Sequence, residues 1–257
     1  MIKDICEHCS FPAFLSYFAL RFSLLSIMSS ELVTFPSKNA KSDARAFVAG
    51  NSSSKMGLVM IHEWWGLNEQ MKTQATELSK KSGFMILVPD FYRGEEAEDH
   101  ETAGHLMSGL DWNGAMQDIT ASANYLKANG CAKVGVFGFC MGGALAFMSA
   151  AELQGDISAA GVFYGIPSSE KTDLTKIKIP VQCHFGAKDS LEGFSSKKDY
   201  DALREKLTAA GVKLDFHEYD AGHAFCNPLN RIGDNYRADL ANQAFERLFS
   251  FMKENLK

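Results

Sequence analysis

The sequence predicts an α/β fold with a mostly parallel central sheet and helices on both faces. Short apolar runs of strand length alternate with longer segments of helical period, and the runs are continuously apolar instead of alternating with polar residues. Both observations are typical of parallel strands that are buried on their two faces. The chain has 257 residues, of which 46% are hydrophobic and 22% charged, so it can form a large core.

The alternation predicts each element in order. Eight runs predict strands: ELVTFP (31–36), RAFVAG (45–50), GLVMIH (57–62), FMILVPD (84–90), KVGVFGF (133–139), ISAAGVFYG (157–165), IPVQCHF (179–185) and KLDFHEY (213–219). Five segments predict helices: NEQMKTQATELSKKSG (68–83), MQDITASANYLKANG (116–130), MGGALAFMSAAEL (141–153), KKDYDALREKLTAAG (197–211) and YRADLANQAFERLFSFMKENL (236–256). Gly83 and Gly130 end the first two helices, because glycine readily closes a helix in the left-handed conformation.

An excess of acidic residues argues against nucleic acid as a partner. The chain has 26 Lys and Arg against 31 Asp and Glu, a formal net charge of -5, and no basic block. Binding to nucleic acid or to an anionic membrane surface needs clustered cations. The predicted partner is therefore a small molecule, and the protein is expected to be a monomer or a weak dimer.

The cysteine pattern indicates free thiols in a reducing compartment, which predicts a cytoplasmic location. The six cysteines are spaced too irregularly for a disulfide framework. Cys6 and Cys9 form a CxxC motif around His8 that resembles half of a zinc site. A zinc site needs about four ligands, and no second pair with suitable spacing follows, so no metal is predicted.

Residues 1–28 are interpreted as a leader without an assigned role, and residues 29–257 as one domain. The leader is apolar, but Arg21 interrupts it at a cost of about 3 kcal/mol in the centre of a bilayer, so stable membrane insertion is not expected. Asp4 and Glu7 outweigh Lys3, which is unlike a signal peptide. A dispensable segment is the preferred interpretation, and an organelle address is the alternative.

One predicted strand ends in GFCMGG (138–143), which has the form of a nucleophile turn with cysteine at its centre. Gly138 and Gly142 flank Cys140 where the turn is too tight for side chains. The turn sets the sulfur at the N-terminus of the next helix, where the helix dipole and unpaired N–H groups favour thiolate. The alternative is a buried cysteine in a glycine-rich packing contact.

A thiol nucleophile needs a base, and three histidines follow Cys140 in the chain. His184 and His217 lie inside predicted strands, where a structural role is expected. His223 lies just beyond the last strand, in a loop at the carboxyl edge of the sheet, which is where chemistry collects in such folds. His223 is therefore the predicted base.

The base in turn needs a carboxylate that orients it, and Asp189 is the candidate. It follows a long apolar strand on a glycine-containing loop, whereas Asp215 lies inside a strand, and Asp199 and Asp201 open a helix. The order nucleophile, acid, histidine is one that known triads use. The sequence therefore predicts a triad in which Asp189 stands between the other two members in the chain.

From residue 28 to residue 257 the chain resembles the dienelactone hydrolase (carboxymethylenebutenolidase) family of the α/β-hydrolase superfamily. The resemblance rests on Cys140 in GFCMGG, Asp189 in GAKD, His223 in AGHAF, Glu63 in IHEWWGLN and the segment VPDFYRG (88–94). It implies the α/β-hydrolase fold and hydrolysis of carboxylic ester bonds. No metal or organic cofactor is required for that reaction.

The resemblance also implies roles for further residues. Glu63 is expected to hold the resting Cys140 thiol and to protect it from oxidation until substrate displaces it, since a nearby carboxylate disfavours thiolate while accepting an S–H hydrogen bond. The backbone N–H groups of Met141 and Trp64 are expected to form the oxyanion hole. Arg93 is expected to hold a substrate carboxylate, with an exposed loop arginine as the alternative.

Four aromatic residues are candidates for lining an apolar substrate pocket, although each could equally belong to the core: Trp64, Trp65, Tyr92 and Phe225. The best-known members of the family carry a second arginine shortly after the histidine, where this chain has Asn227. This departure leaves open whether dienelactone itself is a substrate.

The sequence predicts a cysteine-dependent hydrolase of small activated esters or lactones that acts through an acyl-thioenzyme intermediate. A tetrahedral adduct on cysteine expels its better leaving group, and thiolate leaves readily, so turnover favours acyl groups whose other leaving group is also good. A thioesterase or another carboxylesterase is one alternative. A non-catalytic binding protein on the same scaffold is the other.

Overall fold

Residues 28–229, 231 and 233–257 are described by a computed structural model, and in this part of the chain eight strands form one sheet flanked by six α-helices. The strands are β1 Met28–Phe35, β2 Ala44–Asn51, β3 Met56–Ile61, β4 Met85–Pro89, β5 Lys133–Phe139, β6 Ala160–Phe163, β7 Val181–Gly186 and β8 Leu214–Tyr219. The helices are α1 Glu69–Ser82, α2 His100–Ser108, α3 Trp112–Ala128, α4 Met141–Glu152, α5 Lys197–Ala209 and α6 Ala238–Asn255.

The sheet has the strand order β1-β2-β4-β3-β5-β6-β7-β8. β1 pairs antiparallel with β2, and β2 pairs antiparallel with β4, whereas every neighbouring pair from β4 to β8 is parallel. The predicted α/β fold with a mostly parallel sheet is thus confirmed. The parallel strands bring their carboxyl ends to one edge, and the loops that follow β3, β5, β6, β7 and β8 meet there.

Burial explains why the strand runs are continuously apolar. Every residue of β4, β6 and β7 is buried, because helices cover the sheet on both faces. Helix α4 packs on β5 and β6 and is buried from Met141 to Ala150. This central position explains a sequence of small and apolar residues with little amphipathic pattern.

Helix α2 was not predicted from the sequence. It has nine residues, of which only Ala103 is buried, so no apolar stripe marks it. Its start is marked instead by Asp99, whose side chain accepts a hydrogen bond from the Thr102 backbone N–H at 2.8 Å. Helix α3 likewise begins at Trp112, four residues before the predicted start, and α6 begins at Ala238 rather than at residue 236.

Two predictions fall outside the described residues: the leader, apart from Met28 at the start of β1, and the CxxC motif of Cys6 and Cys9. Among the described helices, none combines the length and the apolar character needed to cross a bilayer. Within the same residues, no group of three or more His, Cys, Asp or Glu side chains is arranged to hold a metal ion.

Candidate active site

Cys140 lies in a strained turn between β5 and α4. Its backbone has φ 53° and ψ −117°, a conformation that residues other than glycine rarely adopt. A Cβ atom on Gly138 would collide with the carbonyl of Gly142, and one on Gly142 would collide with the carbonyls of Ile61 and His62. The two glycines therefore allow the turn to close, as the motif predicts, and they bring the start of α4 against the end of β3.

Two backbone N–H groups near this turn have no acceptor among the residues that the structure describes. Met141 is the first residue of α4, and a helix offers no carbonyl to the N–H groups of its first turn. The Trp64 N–H follows β3 and donates to no other group in the described ranges. These are the two groups that were predicted to form the oxyanion hole, and that role stays a prediction.

His223 and Asp189 are hydrogen-bonded to each other. Nδ1 of His223 lies 2.7 Å from Oδ2 of Asp189, and the two side chains are 4% and 0% exposed. The Ser195 hydroxyl lies 3.1 Å from the same Nδ1, and the other Asp189 oxygen accepts from the Leu191 backbone N–H at 3.0 Å. The carboxylate is thus fixed by its own loop, and it fixes the orientation of the imidazole.

The pKa of His223 and the surroundings of its second ring nitrogen, Nε2, bear on its interaction with the Cys140 thiol. Burial lowers the pKa of His223, but the charge of Cys140, together with Asp189, outweighs burial and raises that pKa to about 10. Nε2 is buried and has no hydrogen-bond partner of standard geometry among the described residues. Of the groups that raise the pKa of this imidazole, the charge of Cys140 has the largest effect.

Glu63 lies two residues beyond β3 and is 2% exposed. The Tyr164 hydroxyl donates to Oε1 at 3.2 Å, and the Asn227 side-chain amide donates to Oε2 at 2.5 Å. Burial raises the pKa of Glu63, and the Asn227 hydrogen bond, the charge of His223 and the Tyr164 hydroxyl oppose that shift. Among the described residues, the hydrogen bonds to the Glu63 carboxylate come from Tyr164 and Asn227, and the expected one from the Cys140 thiol is not among them.

Tyr164 and Ser195 were not predicted as members of the site. Tyr164 follows β6 at the carboxyl edge of the sheet and has a positive φ of 36°, and its ring centroid lies 5.1 Å from that of His223. Its position directly after a parallel strand is the signal that could have identified it. Ser195 lies in the loop before α5, and no sequence pattern marks it.

The guanidinium of Arg93 is paired within the fold, and its predicted contact with a substrate carboxylate stays a prediction. Nη2 lies 2.8 Å from Oδ2 of Asp118, a carboxylate in α3 that is 1% exposed. Nη1 donates to the Asp90 carbonyl and Nε to the Ser42 hydroxyl, both at 2.8 Å. Each of the three nitrogens thus has one partner within the fold, which fixes the orientation of the guanidinium.

The four aromatic candidates differ in their surroundings. Tyr92 donates its hydroxyl to the Met141 sulfur at 3.4 Å, which places it beside the nucleophile turn. Phe225 is fully buried against Tyr164 and has the surroundings of a core residue. Trp64 and Trp65 pack against each other, and both indole N–H groups are buried without a partner among the described residues. A contact with substrate stays a prediction for each.

Comparisons with a family model and with individual proteins agree with each other. The family model described as "Dienelactone hydrolase family" matches residues 44–256. A protein of Aquifex pyrophilus called Protein usf is 30% identical over 236 residues, which cover 88% of this chain and 99% of that protein. A carboxymethylenebutenolidase of Pseudomonas putida is 28% identical over 210 residues, which cover 76% of this chain and 84% of that protein.

Solved structures share the fold. A dienelactone hydrolase-like promiscuous phosphotriesterase from metagenomic libraries matches with a TM-score of 0.75 at 20% identity, over 89% of this chain and 98% of that one. An esterase of Pyrococcus furiosus matches with a TM-score of 0.64 at 15% identity, over 90% of this chain and 94% of that one. At these identities the likeness concerns the arrangement of strands and helices.

Proposed function

Because the chain belongs to the dienelactone hydrolase family and has the α/β-hydrolase fold, as its sequence predicted, we propose that it hydrolyses small activated esters or lactones through a cysteine nucleophile. The family is one of hydrolases that act on ester and lactone bonds. Cys140 is the proposed nucleophile, His223 the proton carrier and Asp189 the group that orients it. One observation carries the proposal: Nδ1 of buried His223 lies 2.7 Å from the buried Asp189 carboxylate, and the charge of Cys140 acts on the same ring.

The proposed reaction has two stages. The Cys140 thiolate attacks the acyl carbon, a C–S bond forms, and the oxyanion is stabilised by the N–H groups of Met141 and Trp64. The C–O bond then breaks, and the leaving alcohol or enol takes a proton from His223. In the second stage His223 accepts a proton from water as it attacks the thioester. The C–S bond breaks, the thiolate leaves, and the acid that forms releases its proton to solvent to give a carboxylate product.

Sulfur in the turn favours substrates with good leaving groups. The tetrahedral adduct on Cys140 loses whichever group leaves more readily, so an ordinary alkoxide or amine competes poorly with thiolate. Enol esters, enol lactones and thioesters meet this requirement. A cytoplasmic location is part of the same proposal, and four free cysteines in the described residues support a reducing compartment.

The test is hydrolysis of p-nitrophenyl acetate by the unmodified protein and by Cys140→Ala. We expect turnover that is lost in Cys140→Ala and kept in Cys131→Ala, which removes another buried thiol, one that approaches the Ser54 carbonyl. Activity that survives Cys140→Ala would exclude the proposed nucleophile. A protein that hydrolyses neither this ester nor a panel of enol esters, lactones and thioesters would instead be a binding protein on the same scaffold.

A further inference from the structure

We propose that His62 is a positioning residue for the oxyanion hole, because its imidazole holds the peptide group between Glu63 and Trp64. The C=O of this peptide belongs to Glu63 and accepts a hydrogen bond from His62. Its N–H belongs to Trp64 and is one of the two groups proposed to stabilise the oxyanion. This role rests on the proposed function, whose two stages make no other use of His62.

His62 directly follows β3 and is fully buried. Its Nδ1 lies 2.6 Å from the Glu63 carbonyl oxygen, and its Nε2 lies 3.4 Å from the backbone nitrogen of Phe91, which follows β4. The rings of Phe91 and Tyr92 pack against the imidazole, with centroids 5.1 and 5.4 Å from its own. The imidazole therefore links the loop after β3 to the loop after β4 and has little freedom to rotate.

The two partners of His62 determine its tautomer. A neutral imidazole donates a hydrogen bond from one nitrogen and accepts one at the other. The Glu63 carbonyl can only accept and the Phe91 N–H can only donate, so the proton is on Nδ1. Burial lowers the pKa of His62, although the hydrogen bond to the Glu63 carbonyl and the charge of Asp90 oppose that shift. His62 is therefore a neutral donor to this carbonyl.

The planarity of the peptide group transmits this contact to the Trp64 N–H. In a trans peptide the C=O and N–H bonds lie in one plane and point in opposite directions. The Gly66 N–H donates to the same Glu63 carbonyl at 3.2 Å, so two donors hold the oxygen, and the Trp64 N–H points away from both. A hydrogen bond to the carbonyl also polarises the peptide, which makes its N–H a stronger donor.

The end of β3 that carries His62 lies against the nucleophile turn. A Cβ atom on Gly142 would come within 2.5 Å of the Ile61 carbonyl oxygen and 2.7 Å of the His62 carbonyl oxygen, so the start of α4 touches this strand end. Met141, whose N–H is the other proposed oxyanion donor, directly precedes Gly142. A rotation of the peptide at 63–64 would therefore change the position of one donor relative to the other, and stabilisation of an oxyanion depends on that geometry.

Two reactions of Cys140 separate the oxyanion hole from the nucleophile itself. Acylation by p-nitrophenyl acetate develops a negative charge on the carbonyl oxygen, whereas alkylation by iodoacetamide displaces iodide from a saturated carbon and forms no oxyanion. Release of p-nitrophenolate in the first turnover measures the rate of acylation, and mass spectrometry of the protein measures the rate of alkylation. The ratio of the acylation rate to the alkylation rate therefore reports on the oxyanion hole, because a change in the thiol alters both rates.

His62→Leu and His62→Asn replace the ring with side chains of similar size, and only asparagine keeps an N–H near the position of Nδ1. We expect His62→Leu to lower the ratio at least about tenfold, since loss of a whole oxyanion donor costs about 100-fold to 1000-fold, and His62→Asn to stay within about threefold of the unmodified protein. If His62→Leu does not fold, His62→Gln takes its place, because its amide lies near the position of Nε2.

His184→Leu is the matched control. His184 is also fully buried, but its ring nitrogens contact the side chains of Tyr219 and Gln182, so the ratio should not change in this variant. An unchanged ratio in His62→Leu, or equal losses in His62→Leu and His62→Asn, would overturn the positioning role. A parallel fall of both rates in His62→Leu would also overturn it, because His62 would then act on the thiol.

Nitrogen NMR tests the hydrogen bond without any turnover. We expect Nδ1 of His62 to carry the proton, and the amide nitrogen of Trp64 to shift in His62→Leu but not in His184→Leu, because a hydrogen bond to a carbonyl polarises its peptide. A proton on Nε2 contradicts the positioning role even if Cys140 is acylated. An unmodified protein whose Cys140 is not acylated contradicts the proposed function and the role of His62 with it, whereas acylation with an unchanged ratio in His62→Leu contradicts that role alone.

Discussion

The carboxylate of Asp189 holds one nitrogen of His223 at 2.7 Å, while the opposite nitrogen is buried and lacks a partner of standard geometry within the described part of the chain. An imidazole in this arrangement can only carry its proton towards the side on which Cys140 acts. The hydrogen bond therefore does two things. It selects the tautomer, and it stabilises the protonated ring.

The first prediction concerns the pH dependence of the Asp189–His223 pair. The pKa of His223 is raised to about 10 from an ordinary value of about 6.5, so the folded state binds this proton more tightly than the unfolded state. The stabilisation is fully present below about pH 6.5 and is lost as the pH rises through about 10. Asp189→Asn should therefore lower the free energy of unfolding by about 3 kcal/mol near pH 7 and by clearly less above pH 10.

Urea denaturation at the two pH values measures this difference. Asp239→Asn is the matched control, because it breaks an exposed pair with Arg237, whose charge does not change over this range. That variant should have a small effect that is the same at both pH values. An equal loss of stability for Asp189→Asn at both pH values would show that the charge of His223 is not involved.

The parts of the fold that depend on local pattern could be predicted from the sequence. Continuous apolar runs identified the buried strands, and Gly83, with φ 81°, closes α1 where the pattern placed its end. Helix α2 could not be predicted, because only one of its residues is buried and a solvated helix has no apolar period. Its existence depends on capping by Asp99 and on its contacts in the folded chain.

The candidate site likewise has a part that could be predicted from the sequence and a part that could not. The strands are parallel, so residues that follow them lie at one edge, and this brought Asp189 and His223 together as predicted. Which partner a polar side chain selects is a tertiary property: Glu63 bonds to Asn227, 164 positions away, and Arg93 bonds to Asp118. No sequence spacing encodes either pair, so these contacts of Glu63 and Arg93 could not be predicted from the sequence.

The second prediction concerns Gly138, two residues before Cys140. Gly138→Ala places a Cβ against the carbonyl of Gly142, a backbone atom that cannot move without opening the turn. We expect a loss of about 3 kcal/mol in the free energy of unfolding, and a loss of any Cys140-dependent hydrolysis. Gly104→Ala in α2 is the control, since nothing lies within 4 Å of its added Cβ, and alanine should stabilise that helix by about 0.5 kcal/mol. Similar effects of the two substitutions would contradict the close approach.

The third prediction is that Arg93 stabilises the fold. Arg93→Ala leaves Asp118 buried without its cation, and we expect the free energy of unfolding to fall by about 3 kcal/mol. Arg237→Ala, on an exposed pair, should cost less than about 1 kcal/mol. In Arg93→Ala, the ratio of kcat/KM between an ester that carries a carboxylate and its uncharged methyl ester should not change. A stable Arg93→Ala protein with weakened binding of carboxylate substrates would instead restore the anion-binding role.

The coupling between Arg93 and Asp118 can be measured with a double-mutant cycle. Asp118→Ala also removes the acceptor for the Ser37 hydroxyl and the Asn39 amide, so its single effect should exceed that of Arg93→Ala. The double variant should be more stable than the sum of the two single effects implies, by about 1 to 3 kcal/mol. Strict additivity would show that the two side chains do not stabilise each other.

The last prediction concerns the reactivity of Cys140. Although Glu63 is bonded to Tyr164 and Asn227 and not to the thiol, its negative charge lies in the same buried site, where it disfavours a second anion. Glu63→Gln should therefore raise the rate of alkylation of Cys140 by iodoacetamide by about tenfold. Because burial raises the pKa of Glu63, the carboxylate gains its charge only as the pH increases, and the ratio of the two rates should grow with pH.

Glu77→Gln, on the exposed side of α1, should leave the rate of alkylation unchanged. Mass spectrometry of the alkylated protein assigns the label to Cys140, and equal rates for Glu63→Gln and the unmodified protein at every pH would mean that Glu63 does not protect the thiol through its charge.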